Sequence, residues 1–178
     1  MSTRVTGMIT VLLLAVLTLP LWAQEEGSAQ EGFELMKRLE GEWKAEVDGG
    51  ESTEVSYRLY SGGTALFEHF LHAPSERGAF ASPEQAMMVS AIYVNGGRLF
   101  LDHYCTSGTQ PRLAARRISD EMVEFEFETP QRGDHEGHIH RAVFRFQDDD
   151  HFTSQWTWRD EHGQEHSSMR RHTRQQTR

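Results

Sequence analysis

From Trp43 onward the chain alternates polar and apolar residues with period two, and short turn clusters interrupt the alternation at near-regular intervals. Successive strand side chains point to opposite faces, so this pattern predicts strands with one covered face and one solvated face. In 121–128, Val123, Phe125 and Phe127 share one face, with Glu124, Glu126 and Glu128 on the other. Phe144 and Phe146 likewise oppose Arg141 and Arg145, and Phe152, Trp156 and Trp158 share a face. The predicted strands are 42–48, 52–60, 64–71, 86–95, 98–106, 110–118, 121–128, 138–147, 151–159 and 164–172. Glycine, asparagine and aspartate clusters separate them, and Asn95-Gly96 reads as a two-residue hairpin turn in which both residues need positive φ. Two connections are longer: His72 to Gln85, carrying Pro74, Gly78 and Pro83, and Pro130 to Gly137. Ahead of the strands, Phe33, Met36 and Leu39 lie at helical spacing and Gly41 ends the run. The prediction is an all-β fold: an antiparallel meander of about ten strands closed as a barrel, with one short N-terminal helix plugging an end. A two-sheet sandwich is the alternative.

Residues 1–23 have the three parts of a secretory signal peptide: Arg4, the uncharged run Met8 to Leu19, and Pro20 ahead of Leu21-Trp22-Ala23. Cleavage is expected after Ala23, with Ala29 as a later alternative, and the apolar run is too short for a membrane anchor. The organisation is then a signal peptide (1–23), a flexible leader (24–31), a barrel domain (32–172) and a basic tail (173–178). Arg170, Arg171, Arg174 and Arg178 are read as a solvated terminus. The protein is expected in the periplasm or secreted.

The full chain has a formal net charge of −9, and loss of Arg4 would make it one unit more acidic. That balance argues against nucleic acid or an anionic membrane surface as partner. The single cysteine, Cys105, rules out an intramolecular disulfide, a CxxC centre or a four-thiolate metal site within one chain.

Two segments carry a resemblance. Leu39-Glu40-Gly41-Glu42-Trp43, a Gly-x-Trp on the first strand after a short helix, looks like the opening of lipocalin-like (calycin) barrels. The run Asp102-His103-Tyr104-Cys105-Thr106-Ser107-Gly108-Thr109-Gln110-Pro111-Arg112-Leu113 resembles the signature of a bacterial family of unknown function with that fold. The resemblance spans most of residues 33–165. It implies a barrel with an internal cavity and brings no established activity. Nitrobindin-like haem barrels are more distant in the same fold space, and no motif here fixes a haem ligand.

Candidate chemistry gathers in a few places. His103 and Cys105 are two apart on a strand and face the same way, so an imidazole could ionise a thiol; the competing reading is a buried small hydrophobe beside a hydrogen-bonded histidine. Gln110-Pro111-Arg112 must begin a strand at an edge, rim or bulge, because proline removes a ladder donor. Arg112 there could clamp an anion or brace the barrel by pairing with an acid such as Glu68. His138 and His140 could give two imidazoles to one metal, with Asp134, Glu136 or His103 completing the set. Trp156 and Trp158 are of the kind that line ligand pockets, although such stripes also serve as core. Glu68 alternates opposite Phe67 and is expected to be exposed. No GxSxG elbow, phosphate loop, dinucleotide fingerprint or HExxH is present.

These features point to an exported module binding a small, partly apolar ligand through His103, Cys105, Gln110, Arg112, Trp156 and Trp158, with His138 and His140 as metal candidates. A metal-dependent or thiol enzyme built on His103/Cys105 and His138/His140 is the alternative, and a solidly packed envelope protein is a third. The sequence names neither a cofactor nor an oligomeric state.

Overall fold

The computed structural model describes residues 27–47, 50–132 and 137–176. The expected signal peptide and its cleavage site after Ala23, and Asp134 and Glu136, lie outside those residues. Ten antiparallel strands close into a barrel: β1 (Gly41–Glu46), β2 (Ser52–Tyr60), β3 (Ala65–Leu71), β4 (Met87–Asn95), β5 (Arg98–Tyr104), β6 (Gln110–Ser119), β7 (Met122–Arg132), β8 (His138–Phe146), β9 (His151–Arg159) and β10 (Glu165–Arg174). Each strand pairs with its sequence neighbours, and β1 pairs with β10 to shut the sheet. The meander and its closure are as the alternation and turns predict. Among the described residues no helix is long and apolar enough to cross a membrane.

Three local elements differ from the sequence reading. Helix α1 spans Ala29–Lys37 and so starts four residues before Phe33. Ser28 and Glu31 form a capping box, the Ser28 hydroxyl accepting from the Glu31 amide and the Glu31 carboxylate accepting from the Ser28 amide. Satisfying both amides recruits polar residues into the first turn. At the β4–β5 hairpin, Asn95 pairs with Arg98, and the two positive-φ residues are Gly96 (φ 57°) and Gly97 (φ 74°), not Asn95 and Gly96. Strand β7 continues through Pro130 to Arg132. The register with β6 shifts on both sides of this stretch, passing over Gln131 and Glu128 on β7, and Pro111 stands opposite Pro130, two residues that donate no ladder hydrogen bond.

The barrel has two unlike ends. Helix α1 packs on β4, β5 and β6 and covers one end. Beneath it the interior is filled by Met36, Leu39, Leu66, Ile92, Leu99, Leu101, Leu113, Phe125, Phe144 and Phe152, all essentially without exposure. The β1–β10 seam is fastened at the same end. The Arg174 guanidinium lies 4.2 Å over Trp43 and donates to the carbonyls of Arg38 (2.7 Å) and Glu40 (2.8 Å). Trp43 Nε1 donates to the Leu39 carbonyl at 2.7 Å, tying strand, helix and seam together. The opposite end is formed by the connections after β1, β3, β5, β7 and β9. The β3–β4 connection contains a single helical turn, α2 (Pro74–Arg77).

Candidate functional site

Going from the packed end toward the open end, the interior changes from apolar to polar. Period two places Tyr57 on β2, Glu68 on β3, Ser90 on β4 and His103 on β5 inside the barrel, and all four are buried. Glu68 is 1% exposed, which corrects its expected surface position. The run Leu66 to Phe70 turns its even-numbered residues inward, leaving Phe67 outside with its ring 5.3 Å from that of Tyr60. The Glu68 carboxylate accepts from the Tyr57 hydroxyl at Oε1 (2.8 Å) and from the Ser90 hydroxyl at Oε2 (2.7 Å). Burial, then the neighbouring Glu68 charge, raises the Tyr57 hydroxyl well above the ordinary tyrosine range.

Because Ser90 spends its proton on Glu68, it accepts from His103 Nδ1 at 3.0 Å. That assigns the proton to Nδ1 and leaves His103 Nε2 as a bare acceptor, buried and without a hydrogen-bond partner. Burial, reinforced by the charge of Arg170, lowers His103 to about 3, so the ring is neutral at ordinary pH. His172 on β10 is comparable. Its ring stacks on Phe152 at 4.0 Å, one nitrogen meets Ser154 Oγ at 2.9 Å, and burial lowers it to about 3.

Arg170 is the residue that sequence reasoning missed. It belongs to β10, opposite the buried Ser154, and points inward rather than lying in a solvated tail. Its guanidinium lies 3.7 Å over Phe70 and 5.3 Å from Trp156. Among the described residues it makes no hydrogen bond or ion pair, although burial opposes its charge and Glu68 supports it. It forms the floor of a cavity of about 320 Å³ at the open end, with Phe70 and Met88 as apolar walls. The rim carries Glu51, held by the Ser75 hydroxyl at 2.5 Å, and Glu76, held by His72 Nδ1 at 2.9 Å. His72 Nε2 also meets Thr106 Oγ1 at 2.9 Å, bolting the β3–β4 connection to the β5–β6 turn. Hollows of about 540 and 650 Å³ lie elsewhere, beside α1 and along β1–β2, and neither is lined by Glu68, His103 or Arg170.

The residues singled out in the sequence fall into three groups. His103 and Trp156 belong to the interior tier, with ring centroids 5.4 Å apart, and Trp156 Nε1 donates to Ser154 Oγ. Cys105 is partly buried just past β5 and unpaired with another cysteine. Trp158 is half-buried and packs against the Gly137 backbone, where a Cβ would come within 2.5 Å of the indole. Arg112 lies on the outer face. It grips Asp102 with two hydrogen bonds (2.7 and 2.9 Å), and Asp102 also accepts from Tyr93. The hydrogen bonds to Asp102 raise Arg112 further, and burial together with the hydrogen bond to Asp102 pushes Tyr93 up to about 12. Arg112 therefore does not converge with His103, and Gln110 is the first residue of β6, paired with Arg132.

His138 and His140 do come together. The β8–β9 register slips between Ile139 and Arg141, and their rings gather on Phe127 with Nε2 and Nδ1 3.4 Å apart. Among the described residues no set of three histidine, cysteine, aspartate or glutamate side chains is placed to hold a metal.

No family model matches the chain, and no curated protein matches it either. Among solved structures, it is similar to a DUF3598-family protein of unknown function from Nostoc punctiforme, with 13% identity and a TM-score of 0.51. The match covers 79% of this chain and 48% of that one, so the chain spans about half the length of its structural neighbour. At that identity the likeness concerns the fold alone.

Proposed function

We propose that this protein is an exported, calycin-like barrel that binds a small, partly apolar molecule at its open end and acts in the periplasm. One observation carries the reading: a cavity of about 320 Å³ that places the apolar walls Phe70 and Met88 beside the partly buried Arg170. Ligand cavities typically start near 300 Å³ and combine apolar walls with a few fixed polar groups. The packed tier under α1 acts as a rigid support at the end of the barrel away from the cavity. The signal-peptide pattern of residues 1–23 and the Gly41-x-Trp43 opening support the export and calycin parts of the proposal.

The test is native mass spectrometry of protein purified from the periplasmic fraction, paired with a variant that fills the cavity. Ser168 lines the cavity beside Arg170 and carries little of the core. Ser168→Trp should fold normally and lose the co-purifying mass. Retention of the same mass by that variant would place the bound molecule elsewhere.

A further inference from the structure

We infer that the ligand is a small organic monocarboxylate whose carboxylate pairs with the Arg170 guanidinium while its apolar body lies along Phe70 and Met88. The inference rests on the open-end cavity being the binding site. Phe70 and Trp156 hold the guanidinium plane but offer it no acceptor. A guanidinium presents its N–H donors as a planar fork that matches two carboxylate oxygens. Glu68, the nearby acid, has already committed one oxygen to Tyr57 and the other to Ser90, and no ion pair joins it to Arg170. The fork is therefore left for a molecule entering from the cavity.

The surroundings limit that molecule to one negative charge. Glu68 lies deeper in the barrel, Glu51 and Glu76 stand at the rim, and His103 Nε2 is an acceptor with no proton to give. A dianion such as a phosphate monoester would press its second charge against these groups. The size is limited as well. About 30 Å³ per water-sized unit makes the cavity equivalent to about ten such units, the scale of a ligand of about ten non-hydrogen atoms.

Octanoate and octan-1-ol share an apolar chain and differ in the head group, and octyl phosphate adds a second charge. Titration of the unmodified protein, followed by tryptophan fluorescence through Trp156, should give octanoate at least tenfold tighter binding than either of the others at pH 8. Arg170→Met should erase the preference for octanoate over octan-1-ol while leaving octan-1-ol affinity within threefold. Arg170→Lys, which keeps the charge but loses the fork, should fall between. Equal affinity for octanoate and octan-1-ol in the unmodified protein would overturn the carboxylate assignment and leave the cavity reading standing. Tighter binding of octyl phosphate would replace the monocarboxylate with a dianion. Binding of none of the three would overturn both the assignment and the cavity reading.

Discussion

A carboxylate with 1% exposure stays in a barrel only if its oxygens are satisfied, and Glu68 takes one hydroxyl from Tyr57 and one from Ser90. Tyr57→Phe leaves Oε1 bare without changing the packed ring. The expected cost is about 1.5–3 kcal/mol, read as a lower urea midpoint at unchanged m-value, because a hydrogen bond to a buried charge is lost. Glu126→Gln, at an exposed position on β7, should stay within about 0.5 kcal/mol of the parent. Sequence periodicity could place Glu68 and Phe67 on opposite faces but could not say which face was inner. Phe67 has an aromatic partner outside, in Tyr60, so an aromatic side chain was not by itself a marker of the core. Arg170 was hidden for a related reason. Strand β10 reads Glu-His-Ser-Ser-Met-Arg-Arg-His-Thr-Arg, with Met169 as its one strongly apolar residue, so no hydrophobic alternation showed its inward side.

Among the elements, strands were the most legible, because period-two alternation runs between turn clusters, several of them built on positive-φ glycines. The β4–β5 turn shows how far such signals reach. The hairpin was evident from Asn95-Gly96-Gly97, yet only the register with Asn95 opposite Arg98 identifies the two glycines as its centre. Gly97→Val should cost about 1–3 kcal/mol, since a β-branched residue resists φ of 74°. Asn95→Val, at a position with ordinary φ, should cost clearly less. A melting-temperature comparison of the two separates this register from a turn centred on Asn95 and Gly96. Helix α1 was found through its apolar spacing, but its start is set by hydrogen bonds that hydrophobicity does not reveal. Ser28→Ala removes one side of the capping box and should lower stability by about 1 kcal/mol in the same assay. The outward partner of Arg112 depends on the β5–β6 register, which sets Asp102 directly opposite it, and the alternation within either strand does not state that register.

For the whole molecule, closure of the meander followed from counting hairpins, whereas the chemistry of the interior depends on residues contributed by six different strands. That shared interior gives the barrel a definite response to acid. His103 and His172 are held neutral by burial, with folded values of about 3 against ordinary values of 6.5. Well above pH 6.5 neither imidazole is protonated in either state, and their contribution to stability is fully present. As pH falls below 6.5 the unfolded chain takes up the protons and the folded barrel does not, so stability declines toward pH 3. Between pH 7 and pH 5 the loss should be about 2 kcal/mol for each histidine. Urea titrations at the two pH values check it, and His172→Phe, which keeps the stack on Phe152, should remove about half of the difference.

The β1–β10 seam also sets an order of events in time. β1 is the first strand a ribosome or translocation channel would deliver, and its partner β10 is the last. Until Arg174 arrives, Trp43 lacks the cation that covers it, and the growing sheet has two open edges able to pair with other chains. Shutting the seam requires bringing together residues from opposite ends of the domain before any seam contact rewards it, so it is the entropically slow stage of maturation. A chain halted before β10 is consequently a curled sheet with an adhesive margin, and the last strand is what makes the protein inert toward its neighbours.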